Sequence, residues 1–157
     1  HFEVADGSLE LLMRQATGWK QPYFALESHR VITDLREDGS FVTEATVKVL
    51  VGDDRVIATA EGNGPVNALD AAMRKAIGPV YPQLAHVHLT DYKVRVLDTD
   101  RGTGAITRVL IDSTDGQRTW TTIGVSENVI EASWAALSDS IVFGLLQMET
   151  SGQNRPL

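Results

Sequence analysis

Phe41-Val42-Thr43-Glu44-Ala45-Thr46-Val47-Lys48-Val49-Leu50-Val51 is the stretch on which the fold turns. From Phe41 onward, alternate residues are mostly apolar, while Glu44, Thr46 and Lys48 occupy the places between. A period of two puts these sets on opposite faces of a pleated strand, so one face is predicted to lie on a core. Asp38-Gly39 precedes the run and Gly52-Asp53-Asp54 follows it, both good hairpin turns. The run is therefore a middle strand, flanked by an alternating segment from Leu26 and a returning strand from Arg55 to Glu61.

Beyond Gly62-Asn63-Gly64-Pro65 the period changes to 3.6. Val66, Leu69, Met73, Ala76 and Ile77 form one stripe, and Asp70 with Arg74 makes an i,i+4 pair. Pro65 suits the first helical turn, where an N–H has no partner, and Gly78-Pro79 is a stop signal. The same order then recurs. Tyr92, Val94 and Val96 alternate with Lys93 and Arg95; Gly102-Thr103-Gly104 links to a strand from Ala105 to Asp112; Thr114-Asp115-Gly116 turns the chain. Arg118 to Ile123 returns, and Gly124-Val125-Ser126 opens a helix carrying Ile130, Trp134, Leu137, Ile141 and Leu145. Ser126 is the expected N-cap, and Trp120 and Trp134 the expected core anchors.

Thr46 and Thr107, Asp54 and Asp115, and Asn67 and Asn128 are each 61 residues apart, while Arg55 and Arg118 match better at 63. So long a period excludes a solenoid and indicates a duplicated module. The predicted fold is α+β, two βββα units (about 26–78 and 86–147) packed with pseudo-twofold symmetry as (βββα)2. Residues 1–25 hold a short helix with Ser8 as N-cap, stopped at Thr17-Gly18-Trp19. Residues 148–157 read as a flexible, polar tail.

The 157 residues are 43% hydrophobic and 22% charged, so wholesale disorder is excluded. Asp and Glu outnumber Lys and Arg by 21 to 14, and a net charge of −7 disfavours nucleic acid and anionic membrane partners. The absence of cysteine removes disulfides, thiolate metal sites and thiol nucleophiles. No apolar run approaches the roughly 18 residues of a membrane span, and no leader-like segment opens the chain, so a cytoplasmic location is expected. A start at His1 rather than Met reads as a piece excised from something longer.

The glycine turn at Gly62-Asn63-Gly64-Pro65 joins a strand to a helix, where free N–H groups and the helix dipole attract anions. A carboxylate could approach there without meeting a Cβ. A plain strand-to-helix turn accounts for it equally well, and Asn67 stands where a dinucleotide fingerprint needs its third glycine. Gly124-Val125-Ser126 has the same place in the second unit. His86-Val87-His88 would put two imidazoles on one strand face, a spacing metals use, but no third ligand lies nearby. Gly124-Val125-Ser126-Glu127-Asn128 lacks the closing glycine of a nucleophile elbow. Tyr92 suits either a small pocket or packing on the helix. No catalytic set emerges. The residues leave two classes open, a small-ligand binding module and a structural dimerisation domain.

Three stretches narrow this. Gly62-Asn63-Gly64-Pro65-Val66-Asn67-Ala68-Leu69-Asp70-Ala71, Leu89-Thr90-Asp91-Tyr92-Lys93-Val94-Arg95 and Gly124 to Trp134 occur in an order that resembles the C-terminal regulatory domain of the 2-isopropylmalate synthase and citramalate synthase family. The resemblance covers about Phe24 to Leu146. Lys93 to Arg95 stand where the isopropylmalate branch usually has Glu-His, so the citramalate branch is the more similar.

The resemblance implies a homodimeric domain that binds an end-product branched-chain amino acid and inhibits an attached catalytic barrel absent from this chain. Isoleucine is the effector implied by the citramalate branch and leucine by the other. The barrel would be an acetyl-CoA-dependent acyltransferase using a divalent metal ion. Its His-x-His, Asn-Asp motif is not matched by His86-Val87-His88, so no cofactor, metal or catalytic residue is expected here. Carried over residue by residue, Gly62, Asn63 and Gly64 would offer backbone groups to the charged end of the amino acid. Val66 and Ala68 would shape the wall. Leu89, Tyr92 and Val96, with Ala105 and Ile106, would hold the alkyl group. Val125 and Glu127 match further pocket positions, where the charge of Glu127 departs from the family's apolar or proline residue.

Overall fold

A computed structural model describes residues 5–97 and 105–151. The chain divides into two compact units, a first from Gln21–Pro82 and a second made of His1–Lys20 with Gln83–Leu157. Each unit contains a three-stranded antiparallel sheet and a helix on one face, so the α+β class and the duplicated βββα module are both present.

In the first unit β1 (Ala25–Leu35), β2 (Phe41–Val51) and β3 (Asp54–Gly62) pair in chain order. α2 (Pro65–Ile77) lies on the face formed by Ala45, Val47, Val49 and Ala58. The alternation read from Phe41 to Val51 is reproduced along β2, with Ala45, Val47, Val49 and Val51 buried. The predicted stripe of Val66, Leu69, Met73, Ala76 and Ile77 is buried in full. Arg74 Nε donates to both Asp70 oxygens, at 3.0 and 2.9 Å. Tyr81 Oη donates to the Tyr23 carbonyl at 2.7 Å, tying the residues before β1 to those after α2.

In the second unit β4 (His88–Leu97), β5 (Ile106–Thr114) and β6 (Thr119–Ser126) again pair in order. α3 (Val129–Ser151) covers Val109, Ile111, Trp120 and Thr122. By composition α3 is long and apolar enough to cross a bilayer, but more than half of it is buried in its own unit, as a core helix is. Trp120 is buried and donates through Nε1 to the Ser140 carbonyl at 3.3 Å, while Trp134 is only half-buried. The hydroxyls of Ser113 and Ser140 meet at 2.6 Å, so the buried polar groups between helix and sheet satisfy each other.

The duplication runs at a different offset from the one the sequence suggests. Fully buried Ala68, Ala72, Met73 and Ile77 correspond to fully buried Ala132, Ala136, Leu137 and Ile141, each 64 residues on. β1 and β4 correspond at 63, through bulges at Leu26/Ser28 and Leu89/Asp91. The connection from β4 to β5 is thus one residue longer than that from β1 to β2. The 61-residue spacing pairs Asn67, inside α2, with Asn128, outside α3, and so matches residue type rather than place.

Helix ends differ likewise. α1 (Asp6–Ala16) starts two residues before Ser8, so Ser8 does not cap it. Instead Ser8 Oγ accepts the Ile123 N–H at 2.9 Å and donates to Asp139 at 2.7 Å, while Asp6 Oδ1 accepts the Thr121 N–H at 2.8 Å. α1 thereby occupies the open edge of β6. At the other end α3 runs to Ser151 with Met148 1% exposed, because Met148 continues the stripe of Ile141 and Leu145. Residues 148–151, expected as tail, are therefore helix, and residues 152–157, like the Gly102-Thr103-Gly104 link, lie outside the described residues.

Gly124 is strand, not turn. It pairs with Val109, and a Cβ there would stand 1.9 Å from the Ala132 carbonyl oxygen of α3. Gly124→Ala is expected to lift α3 off the sheet and to lose about 3 kcal/mol or more in chemical denaturation. Burial raises the pKa of Asp139, partly countered by the bond from Ser8. The folded state then holds this proton more tightly than the unfolded one, so the contribution is fully present below the unfolded pKa and is lost as pH rises through the folded value. Asp139→Asn, which keeps an acceptor for Ser8, is expected to flatten that slope and raise the melting temperature at neutral pH.

Candidate functional site: the strand-to-helix turns and the exposed face of β4

β3 ends at Gly62, Asn63 and Gly64 bridge, and α2 begins at Pro65. Gly62 is required by the fold: a Cβ there would lie 2.5 Å from the Ala68 nitrogen. Gly64 is the N-cap, in extended backbone (φ −172, ψ −176) with no side-chain cap bond. Its carbonyl takes the Ala68 N–H at 2.9 Å, and Pro65 has no N–H. The N–H groups of Val66 and Asn67 thus lack a capping side chain, at the positive end of a 13-residue helix whose first turn holds no acid.

The equivalent turn in the second unit is closed. Asn128, not Ser126, caps α3: its Oδ1 accepts the N–H groups of Ile130 at 2.8 Å and Glu131 at 3.2 Å. The Ser126 hydroxyl accepts the Asn128 N–H at 3.1 Å and donates to Glu131 at 3.3 Å. The two turns therefore do not share one role. Only the first leaves donors for an outside carboxylate. Val66 and Ala68 are buried in the core of the first unit, so around this turn the exposed side chains are Asn63 and Asn67, with Glu61 just before it.

The remaining candidates lie in the second unit. Tyr92 and Val96 are opposite Ile111 and Thr107, on the face that α3 covers further in, yet are 50% and 53% exposed. β4 is the edge strand and reaches past the helix. Val94, between them and 47% exposed, belongs to the same stripe. The family resemblance does not point to Val94, although its parity in Tyr92-Lys93-Val94-Arg95-Val96 marks it. Leu89 is half-buried opposite Ser113, before the bulge. Ala105 is half-buried just ahead of β5. Ile106, opposite Leu97, and Val125, opposite Arg108, fall on the other face of the sheet. Glu127 is exposed in the turn. The structure thus groups Tyr92, Val94 and Val96, and sets Ile106 and Val125 apart from them.

His86 closes a 3-10 turn (Pro82–His86), Val87 is buried and His88 starts β4, so the two imidazoles do not share a strand. Among the described residues no three His, Asp or Glu side chains group as a metal site.

A family model described as the LeuA allosteric (dimerisation) domain matches residues 3–144. The chain belongs to this family. Among curated relatives, (R)-citramalate synthase of Streptomyces coelicolor is 54% identical over 147 residues, 93% of this chain and 28% of the relative. (R)-citramalate synthase of Aquifex aeolicus is 50% identical over 97% of this chain and 29% of the relative. 2-Isopropylmalate synthase of the same organism is 28% identical over 94% of this chain and 26% of the relative. This LeuA-type domain is therefore more similar to these citramalate synthases, and it spans under a third of their length.

The cap of α3 gives a direct check. Asn128→Ala leaves two N–H groups without their acceptor and is expected to cost about 1 kcal/mol in denaturant melts.

Proposed function

We propose that this domain is the feedback sensor of a citramalate-synthase-like acyltransferase, binding a branched-chain amino acid, isoleucine, and inhibiting a catalytic barrel joined to it in the full-length protein. Membership of an allosteric family, with identity concentrated in (R)-citramalate synthases, carries this reading. In the same reading the full-length enzyme is cytoplasmic and homodimeric, and condenses acetyl-CoA with a 2-oxo acid using a divalent metal held outside this domain.

The chemistry of the chain supports it. A zwitterion needs donors for its carboxylate and a dry surface for its alkyl group. In the first unit the Val66 and Asn67 N–H groups are donors of the first kind; in the second unit the stripe of Tyr92, Val94 and Val96, with Leu89 and Ala105, is apolar surface of the second kind. Isoleucine, leucine and valine differ by one methyl or its position, worth only about 1–3 kcal/mol in an apolar slot. Inhibition requires the effector to favour one state of the enzyme by a similar amount.

Titration calorimetry of this domain with isoleucine, leucine and valine is expected to give saturable heat, strongest with isoleucine. Strongest heat with leucine would assign the domain to the isopropylmalate type. A dimer by sedimentation without heat from any of the three would leave a purely structural dimerisation domain, a reading the exposed β4 stripe favours. Gly64→Asp provides an internal control. An aspartate in extended backbone at this N-cap accepts the free N–H groups itself and should raise stability by about 0.5 kcal/mol. The same variant should abolish the heat of amino-acid binding, whereas undiminished binding would remove the carboxylate from this turn.

A further inference from the structure

We propose that the face of the second-unit sheet turned away from α3 carries a site for a small, multiply charged oxyanion, a metabolite bearing phosphate or carboxylate groups. On this face Arg95 of β4 stands directly opposite Arg108 of β5, and the next pair is Lys93 opposite Leu110. With Val94 they line a cleft of about 300 Å3, at the lower end of the range for small-molecule sites.

Cross-strand partners hold their Cβ atoms about 5 Å apart, and like charges so placed destabilise a sheet. Among the described residues no carboxylate pairs with either arginine, and neither takes part in the ion pairs of Arg14, Arg36, Arg55 and Arg74. Arg108 is half-buried, and its Nε is shut from solvent without an acceptor, an unfavourable state for a charged donor. The carboxylates of this face, Asp91 and Asp112, oppose each other one pair beyond Lys93, on the side away from Arg95. Asp112 already accepts the Thr121 hydroxyl at 2.7 Å. An oxyanion between the two guanidinium groups would accept the orphaned N–H and offset their repulsion, and its paired oxygens match their planar donor forks. Leu110, buried, gives the cleft an apolar floor.

The first unit supplies a comparison within the same chain. At the corresponding positions, Lys93, Arg95, Arg108 and Leu110 are replaced by Arg30, Ile32, Glu44 and Thr46. The fold does not need three cations here, and a chain of net charge −7 collects them on one sheet face. The site does not use the N-terminus of α2, and of the apolar β4 stripe it touches Val94 alone, so it stands or falls apart from the amino-acid reading.

The test is an amide NMR titration of the whole chain at fixed ionic strength, with pyrophosphate in one arm and citrate in the other. Saturable shifts at residues 93–95 and 108–110 are expected in at least one arm, and the arm that responds assigns phosphate or carboxylate. Arg95→Gln and Arg108→Gln should each weaken binding about tenfold or more, while Arg30→Gln leaves it unchanged. Arg95 is exposed, so its variant keeps the fold and, without anion, should melt at a higher temperature than the parent. No saturable shift with either anion, or equal binding by the Arg95→Gln and Arg108→Gln variants, would overturn the proposal.

Discussion

The close approach of a helix backbone to a sheet is the constraint on which both units depend. In the first, a Cβ at Gly62 would strike the Ala68 nitrogen at 2.5 Å; in the second, a Cβ at Gly124 would strike the Ala132 oxygen at 1.9 Å. Fully buried alanines line the contact on each helix, Ala68 and Ala72 on α2 and Ala132 and Ala136 on α3. Small residues bring the layers together, and the larger Met73, Ile77, Leu137 and Ile141 then fill the space beside them. Core interiors tolerate little change in volume, so these glycines are fixed by packing before any ligand is considered.

That constraint also explains what was legible in the sequence. Regular periods survive translation into letters, so β2 and the buried stripe of α2 are placed to the residue, and the α+β duplication follows. Roles that depend on distance do not survive. Gly62 and Gly124 look like one loop glycine repeated, yet in register Gly62 corresponds to Ser126 and Gly124 to Ala60, so each solves its own collision. Asn128 shares its letter with Asn67 and its place with Gly64. Ser8 has the form of an N-cap but serves a strand 115 residues away, a contact no local rule can reveal.

The candidate site was legible in part for the same reason. The first glycine turn is where a strand meets a helix, and its uncapped donors follow from Gly64 and Pro65, which supply no capping side chain. The alternation Tyr92, Val94, Val96 gives one face correctly. Which face stays exposed depends on how far α3 reaches across the sheet, and the separation of Ile106 and Val125 from that stripe depends on register across the β4–β5 connection. Arg95 against Arg108 is likewise a matter of register.

The position of α1 has one more consequence. By accepting the N–H groups of Thr121 and Ile123, Asp6 and Ser8 seal the β6 margin of the second-unit sheet, so that among the described residues of that unit the unsealed margin is β4. A sheet with a single open margin is monovalent. It can join one like sheet and then has nothing further to offer, so growth through it stops at a closed pair and cannot run on into a fibril.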